Sequence, residues 1–118
     1  MIATWPELRE LALGLGLPEV SFAYPFGHEM MKAHGKTWVY WAQRVDGAVF
    51  KADKMERDLL LAADPDTFFL DAHFAPYALI LVRPGRIDPD WAKARLIRDW
   101  RELAPKRWLK AWDAEQSR

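Results

Sequence analysis

Residues 34–52 run HGKTWVYWAQRVDGAVFKA, and this stretch predicts the β-hairpin around which the fold is built. Asp46-Gly47 is a strong two-residue turn signal, because a type I′ turn needs positive φ at both central positions. The turn joins a strand over residues 36–45 to a strand over residues 48–52. The first strand carries four consecutive large apolar residues, WVYW at 38–41. A half-buried strand should alternate apolar and polar residues, so the second face of this hairpin needs its own explanation.

The register of a two-residue turn divides the hairpin into two faces, because directly opposed residues point to the same side of a sheet. Trp41, for example, is predicted to lie opposite Ala52. One face is mostly apolar, is expected to pack beneath helices, and contains Val39, Trp41, Gln43, Val45, Ala48, Phe50 and Ala52. The second face mixes rings with cations and contains Lys36, Trp38, Tyr40, Ala42, Arg44, Val49 and Lys51.

A second tight turn is predicted at His34-Gly35, after a strand over residues 29–33. The same pairing rule adds Met31 and Ala33 to the second face of the hairpin. It puts Lys32 and Thr37 on the apolar side, so the predicted register is irregular at this end.

The segments outside these hairpins combine helices with further strands. Thr4 begins a TWPE capping sequence for an N-terminal helix, and Asp88-Pro89-Asp90 begins a longer helix over 88–104. The other predicted elements are strands over 20–24, 68–72 and 78–82 and helices over 54–63 and 106–115. This order predicts a single α+β domain over residues 1–118, an antiparallel sheet of five or six strands with helices mainly on one face.

The overall composition identifies no class of partner. Lys and Arg number 17, as do Asp and Glu, and there is no Cys, which excludes disulfides and thiolate metal sites. The N-terminal residues lack the basic and apolar segments of a secretion signal. No apolar run approaches the roughly 18 residues of a membrane span. We therefore expect no association with a membrane.

No catalytic or metal-binding motif is evident. The histidines, His28, His34 and His73, lack the spacing of a zinc site. Neither serine lies in a G-x-S-x-G context, and there is no glycine-rich phosphate loop. We predict that the protein is not an enzyme and needs no metal or cofactor.

The second face of the hairpin is the strongest candidate for a binding surface. Its cations suit phosphates, and its rings, Trp38 and Tyr40, could stack on bases or sugars. The alternative is that the C-terminal helix covers both rings, with Lys and Arg stems lying over them. The arginines of helix 88–104 are weaker candidates, since Asp99 and Glu102 are spaced to neutralise Arg95 and Arg98.

Several short motifs occur in a fixed order along most of the chain: LPEV at 17–20, PFGH at 25–28, HGK at 34–36, FKADK at 50–54, FFLDAHF at 68–74 and YALILVR at 77–83. In this order and spacing they resemble the MmcQ/YjbR-like family. The resemblance implies a CyaY-like α+β fold and a bacterial, cytoplasmic protein.

The resemblance also implies DNA as a candidate partner, gripped by a "double wing" of paired β-hairpins. The wings would turn at 34–35 and 46–47, with Lys32, Lys36, Arg44 and Lys51 facing the phosphates. Trp38 or Tyr40 would then be the stacking platform between them. The alternative function is a protein-interaction or small-ligand module that uses the same aromatic face. We expect a monomer or a weak homodimer.

Overall fold

The computed structural model describes all 118 residues, Met1–Arg118. Its six strands are β1 (Val20–Ala23), β2 (Met30–Ala33), β3 (Lys36–Ala42), β4 (Gly47–Lys51), β5 (Phe68–Phe69) and β6 (Leu79–Val82). Its four helices are α1 (Trp5–Gly14), α2 (Lys54–Ala63), α3 (Pro89–Leu103) and α4 (Lys106–Gln116). The strands form one antiparallel sheet in the order β1-β2-β3-β4-β6-β5. The predicted α+β class is confirmed.

Side-chain caps set the start of three helices, and the sequence predicts two of them, at Thr4 and Asp88. Thr4 accepts a hydrogen bond from the backbone N–H of Glu7 at the start of α1. Asp53 accepts one from the N–H of Glu56 at 2.8 Å, and Asp88 caps α3 in the same manner. Each cap satisfies an N–H group that has no partner within its helix.

The main hydrophobic core lies between the sheet and helices α1 and α3. Leu8 of α1 and Leu96 and Trp100 of α3 have no exposed surface, and they pack with Val39 and Phe50 of the central strands. The indole N–H of Trp100 donates to the carbonyl of Pro18 at 2.8 Å, so burial of this ring leaves no unpaired donor.

Helix α4 packs on α3 and on the β2–β3 turn. The ring centroid of Trp108 lies 4.7 Å from that of His34 and 5.7 Å from that of Trp100. Burial among these rings lowers the pKa of His34, and the nearby Lys36 charge acts in the same direction. The expectation that the C-terminal helix covers Trp38 and Tyr40 is therefore wrong for this helix, because it covers Trp100 and His34 instead.

The β3–β4 turn is longer than predicted. Ala42 pairs with Gly47 and Trp41 with Ala48, so residues 43–46 form a four-residue loop. The predicted partner of Trp41 was Ala52, which differs from the observed partner by four positions. A shift by an even number keeps every side chain on its face. The core accordingly contains Val39, Trp41, Ala48, Phe50 and Ala52, as predicted. The prediction is wrong for Gln43 and Val45, which lie in the loop, and Val45 packs against the other side of the sheet.

The role of Gly47 also differs from the prediction. Its φ is not positive, and a Cβ there would stand 2.8 Å from the ring of Phe69. Glycine at this position makes room for the Phe69 ring, which reaches across β6 from β5, and it does not serve the turn.

A β-bulge in β3 changes the face of the residues before it. Met31 pairs with Val39, but the next residue, Lys32, pairs with Thr37, which leaves Trp38 without a partner on β2. One inserted residue reverses the alternation along a strand. The bulge turns Trp38 toward the helices. The predicted faces of four neighbouring residues are wrong for the same reason. Met31 and Ala33 are in the core, whereas Lys32 and Thr37 are not.

Helices α2 and α3 are joined by a cluster of charges. The Glu56 carboxylate lies 2.7 Å from Arg95 and 2.6 Å from Arg98, and Arg98 also lies 3.1 Å from Asp99. Hydrogen bonding from Arg98 holds the pKa of Glu56 below its usual range, against the effect of burial. The arginines of α3 are neutralised, as predicted, although Arg95 pairs with Glu56 and not with Asp99.

Candidate ligand site on the open face of the sheet

We call the surface of the sheet opposite the helices the open face. Its strands contribute a small apolar cluster of Tyr40, Ala42, Val49, Leu79 and Leu81. Residues 70–78, here called the 70–78 loop, connect β5 to β6 and bring the buried ring of Phe74 onto this cluster. The sequence predicts a strand over 68–72, but β5 ends at Phe69 and the chain leaves the sheet there.

The 70–78 loop is held at two places. The Asp71 carboxylate accepts hydrogen bonds from the backbone N–H groups of His73 and Phe74, at 3.0 and 3.2 Å. The guanidinium of Arg57, on α2, donates to the carbonyls of Ala75 and Tyr77, at 3.1 and 2.8 Å. Arg57 is 7% exposed, so these bonds are sheltered from water. The loop is thus fixed in place beside the strands and not free to collapse onto them.

A cleft of about 330 Å³ lies between the 70–78 loop and strands β3 and β4, and we call it the first cleft. Tyr40, His73, Phe74 and Tyr77 give it aromatic walls, and Lys51 supplies an ammonium group. No carboxylate lines it. Such a cleft suits a planar group that carries negative charge.

A second cleft of about 410 Å³ lies on the other side of Phe74. It shares Tyr40, His73 and Phe74 with the first cleft and adds Phe26 and Arg44. The two clefts are therefore neighbours along one surface.

Glu29 is the one carboxylate in the second cleft, and its oxygens are already occupied. Trp5 and Arg9 donate to it at 3.0 and 2.7 Å, and the Tyr24 hydroxyl at 3.2 Å. Burial alone would raise the pKa of Glu29, but these hydrogen bonds and the Arg9 charge hold it below the usual range. The carboxylate ties α1 to the sheet and leaves the cleft without an unpaired acid.

Burial raises the pKa of Tyr40, and the neighbouring Tyr77 acts in the same direction. The Tyr40 hydroxyl is therefore protonated at neutral pH. It can donate a hydrogen bond to a ligand in either cleft, which adds a polar contact to a mostly aromatic surface.

A family model described as YjbR matches residues 15–102, more than half of the chain, and the match includes both clefts. The chain belongs to the YjbR family. No curated protein and no solved structure matches it. No group of three or more His, Cys, Asp or Glu side chains in this YjbR-family protein is arranged to hold a metal ion. None of its helices combines the length and apolar content needed to cross a bilayer.

The site residues predicted from sequence in this YjbR-family chain separate into two groups. Tyr40 and Lys51 line the first cleft, and Arg44 lines the second. Lys32 lies on the open face, half-buried, opposite Thr37. Trp38 also borders the first cleft, but its ring is buried on the other side of the sheet. It is 1% exposed, and its indole N–H donates to the carbonyl of Leu96 at 3.0 Å.

Lys36, also predicted as a site residue, lines neither cleft. It pairs with Ala33 on the helix side of the bulge, and its Nζ lies 3.5 Å from the carbonyl of Leu103. This position is at the C-terminal end of α3, where a cation is favourable. Lys36 is exposed, but it faces away from the clefts.

Sequence reasoning missed the residues that the 70–78 loop contributes. FFLDAHF has the alternation of a strand, which hid the roles of His73, Phe74 and Tyr77. The available signal was Asp71 two residues before His73, because Asp side chains accept bonds from their own backbone in turns.

Proposed function

We propose that this YjbR-family protein binds nucleic acid through the open face of its sheet. The observation that carries the proposal is that three cations on this face form no salt bridge. Lys51 and Arg44 line the aromatic clefts, and Lys32 lies on the same face of the sheet. None of the salt bridges of the chain involves these three cations. Unpaired cations beside aromatic walls suit phosphates and bases together.

The positions of the two hairpin turns change which part of the double wing is proposed to contact nucleic acid. The β2–β3 turn and the β3–β4 loop lie at opposite ends of β3, which has seven residues. At about 3.3 Å per residue the two turns are roughly 23 Å apart. Lys36, beside the first turn, is directed to α3. We therefore propose that the strands between the turns form the contact surface, with Arg44 at one end.

Neutralising two open-face lysines is expected to weaken nucleic-acid binding in a salt-dependent way. On duplex DNA, each phosphate contact steepens the fall of log affinity against log salt by about 0.9, which corresponds to roughly eightfold in affinity at about 0.1 M salt. The double variant Lys32→Gln/Lys51→Gln should therefore bind about 60-fold more weakly and lower the slope by about 1.8. Fluorescence anisotropy of a labelled oligonucleotide, titrated at several salt concentrations, measures both quantities.

The matched control is Lys106→Gln/Lys110→Gln, which removes the same charge from exposed positions on α4. It should leave affinity and slope nearly unchanged. Equal losses in the two double variants would mean that net charge alone governs binding. The absence of binding by the wild-type protein at low salt would end the proposal.

A second candidate is a small planar anion held in the first cleft, favoured by the concave shape of the cleft and its single ammonium group. For such a ligand Tyr77→Ala would weaken binding more than Lys32→Gln, and salt would have little effect. The expectations that the protein is not an enzyme, is cytoplasmic and is a monomer or weak homodimer stay predictions.

A further inference from the structure

Phe26 is the most exposed large apolar residue of the chain. Its ring is fully accessible, and its backbone has φ 54° and ψ 29°, in the left-handed region. Residues with a Cβ seldom adopt this conformation, and a bulky residue there marks a position whose surroundings hold it in place. Phe26 is thus strained and exposed together, which a purely structural role does not require.

Hydrogen bonds of the surrounding turn hold the backbone that carries this ring. The N–H of Gly27 donates to the carbonyl of Tyr24, and that of His28 to Pro25, both at 3.1 Å. The Tyr24 hydroxyl donates to Glu29, which is itself bonded to α1. Phe26 therefore lines the second cleft on an ordered turn, and its ring has no support from the core.

The second cleft carries groups that favour an anion-bearing aromatic ligand. Arg44, His28 and His73 line it, and its one carboxylate, Glu29, is already bonded to Arg9 and Trp5. A hydrophobic protein segment would gain nothing from the Arg44 charge, whereas a nucleotide brings a planar ring and a phosphate at once.

We propose that Phe26 stacks on an unpaired nucleobase that enters the second cleft, so that the open face prefers single-stranded to duplex nucleic acid. This inference rests on the proposed function and specifies its ligand. The bases of a duplex are stacked on one another and offer no free face to a ring, whereas the bases of a single strand do.

The test compares two single strands of equal length, an oligothymidylate and a strand with the same backbone but no bases. The wild-type protein should bind the oligothymidylate more tightly. Phe26→Ala should weaken that binding by about 5- to 150-fold, the range measured for loss of one base–ring stack. It should leave binding of the abasic strand unchanged, because the phosphate contacts remain.

Two further variants control the result. Phe26→Trp keeps a stacking ring and should retain the preference for the oligothymidylate. Leu59→Ala removes another exposed apolar side chain, 67% exposed on α2, and should have no effect. The melting temperature of Phe26→Ala should match that of the wild type, because its ring makes no buried contact.

The outcomes separate the inference from the proposed function. If the wild type binds neither strand, both fail. If it binds the two strands equally, or if Phe26→Ala keeps the preference for bases, the stacking role is wrong while phosphate binding by the open face stands.

Discussion

Replacing Trp38 by alanine is expected to lower the free energy of unfolding by about 3–5 kcal/mol, the usual cost of removing a large buried ring. The ring is 1% exposed and lies between β3 and α3. Its indole N–H also bonds to the Leu96 carbonyl, so it joins the sheet to the helix. Since a domain of this kind has about 5–15 kcal/mol in total, the variant should be marginally folded. Urea denaturation followed by tryptophan fluorescence measures the loss.

The more conservative Trp38→Phe keeps most of the buried ring and should lose less stability than Trp38→Ala. Its nucleic-acid affinity should equal that of the wild type under conditions where both are folded. A Trp38→Ala protein that is as stable as the wild type but binds nucleic acid poorly would contradict the structural role of Trp38. It would restore the stacking role predicted from the sequence.

Titration of Asp99 is expected to change the free energy of unfolding by about 3 kcal/mol between low and neutral pH, and Asp99→Asn should lack this change. Asp99 has no exposed surface, and one of its carboxylate oxygens lacks a hydrogen-bond partner. Burial raises its pKa from 3.8 to about 6, although Arg98 acts in the opposite direction. The folded protein therefore takes up a proton at this site more readily than the unfolded chain.

The sign of the effect follows from that difference. The stabilisation by the Asp99 proton is complete below pH 3.8 and is lost as the pH rises through about 6. Relative to Asp99→Asn, the wild type should therefore become less stable across this window. Other groups, such as His34, titrate in both proteins and cancel in the comparison. Denaturation at a series of pH values checks this, and a constant difference between the two proteins would show that folding leaves the pKa of Asp99 unchanged.

Local signals in the sequence account for most of the fold. The capping residues Asp53 and Asp88 determine where α2 and α3 begin, and both are short-range hydrogen-bonding motifs. The core assignments of Trp41 and Phe50 are correct even though the β3–β4 loop is longer than predicted, because a strand has a side-chain period of two.

The β-bulge at Trp38 has no comparable local signal. It depends on whether the Trp38 ring is more stable buried against α3 or exposed on the open face beside Tyr40. Because α3 is distant in sequence, no pattern near Trp38 indicates the outcome. Burial of a Trp ring outweighs the pairing of one residue with β2. This non-local choice moves Trp38 and Lys36 to the helix side of the sheet.

The candidate site was predictable only in part for the same reason. Tyr40 and Lys51 follow from strand periodicity, because they lie in regular parts of β3 and β4. His73 and Tyr77 do not, since the path of the 70–78 loop depends on Arg57, which lies on another element and donates to two of its carbonyls. A tertiary hydrogen bond of this kind produces no recognisable pattern in the amino-acid sequence of the loop.

The central claim is that nucleic acid binds the open face of the sheet, and chemical-shift mapping of isotope-labelled protein tests it most directly. On addition of a single-stranded oligonucleotide, the largest changes should fall on Lys32, Tyr40, Lys51 and the 70–78 loop. The amide signals of α4 and the indole N–H of Trp38 should stay in place. Changes concentrated at Lys36 and along α4, with the open face unaffected, would contradict the account.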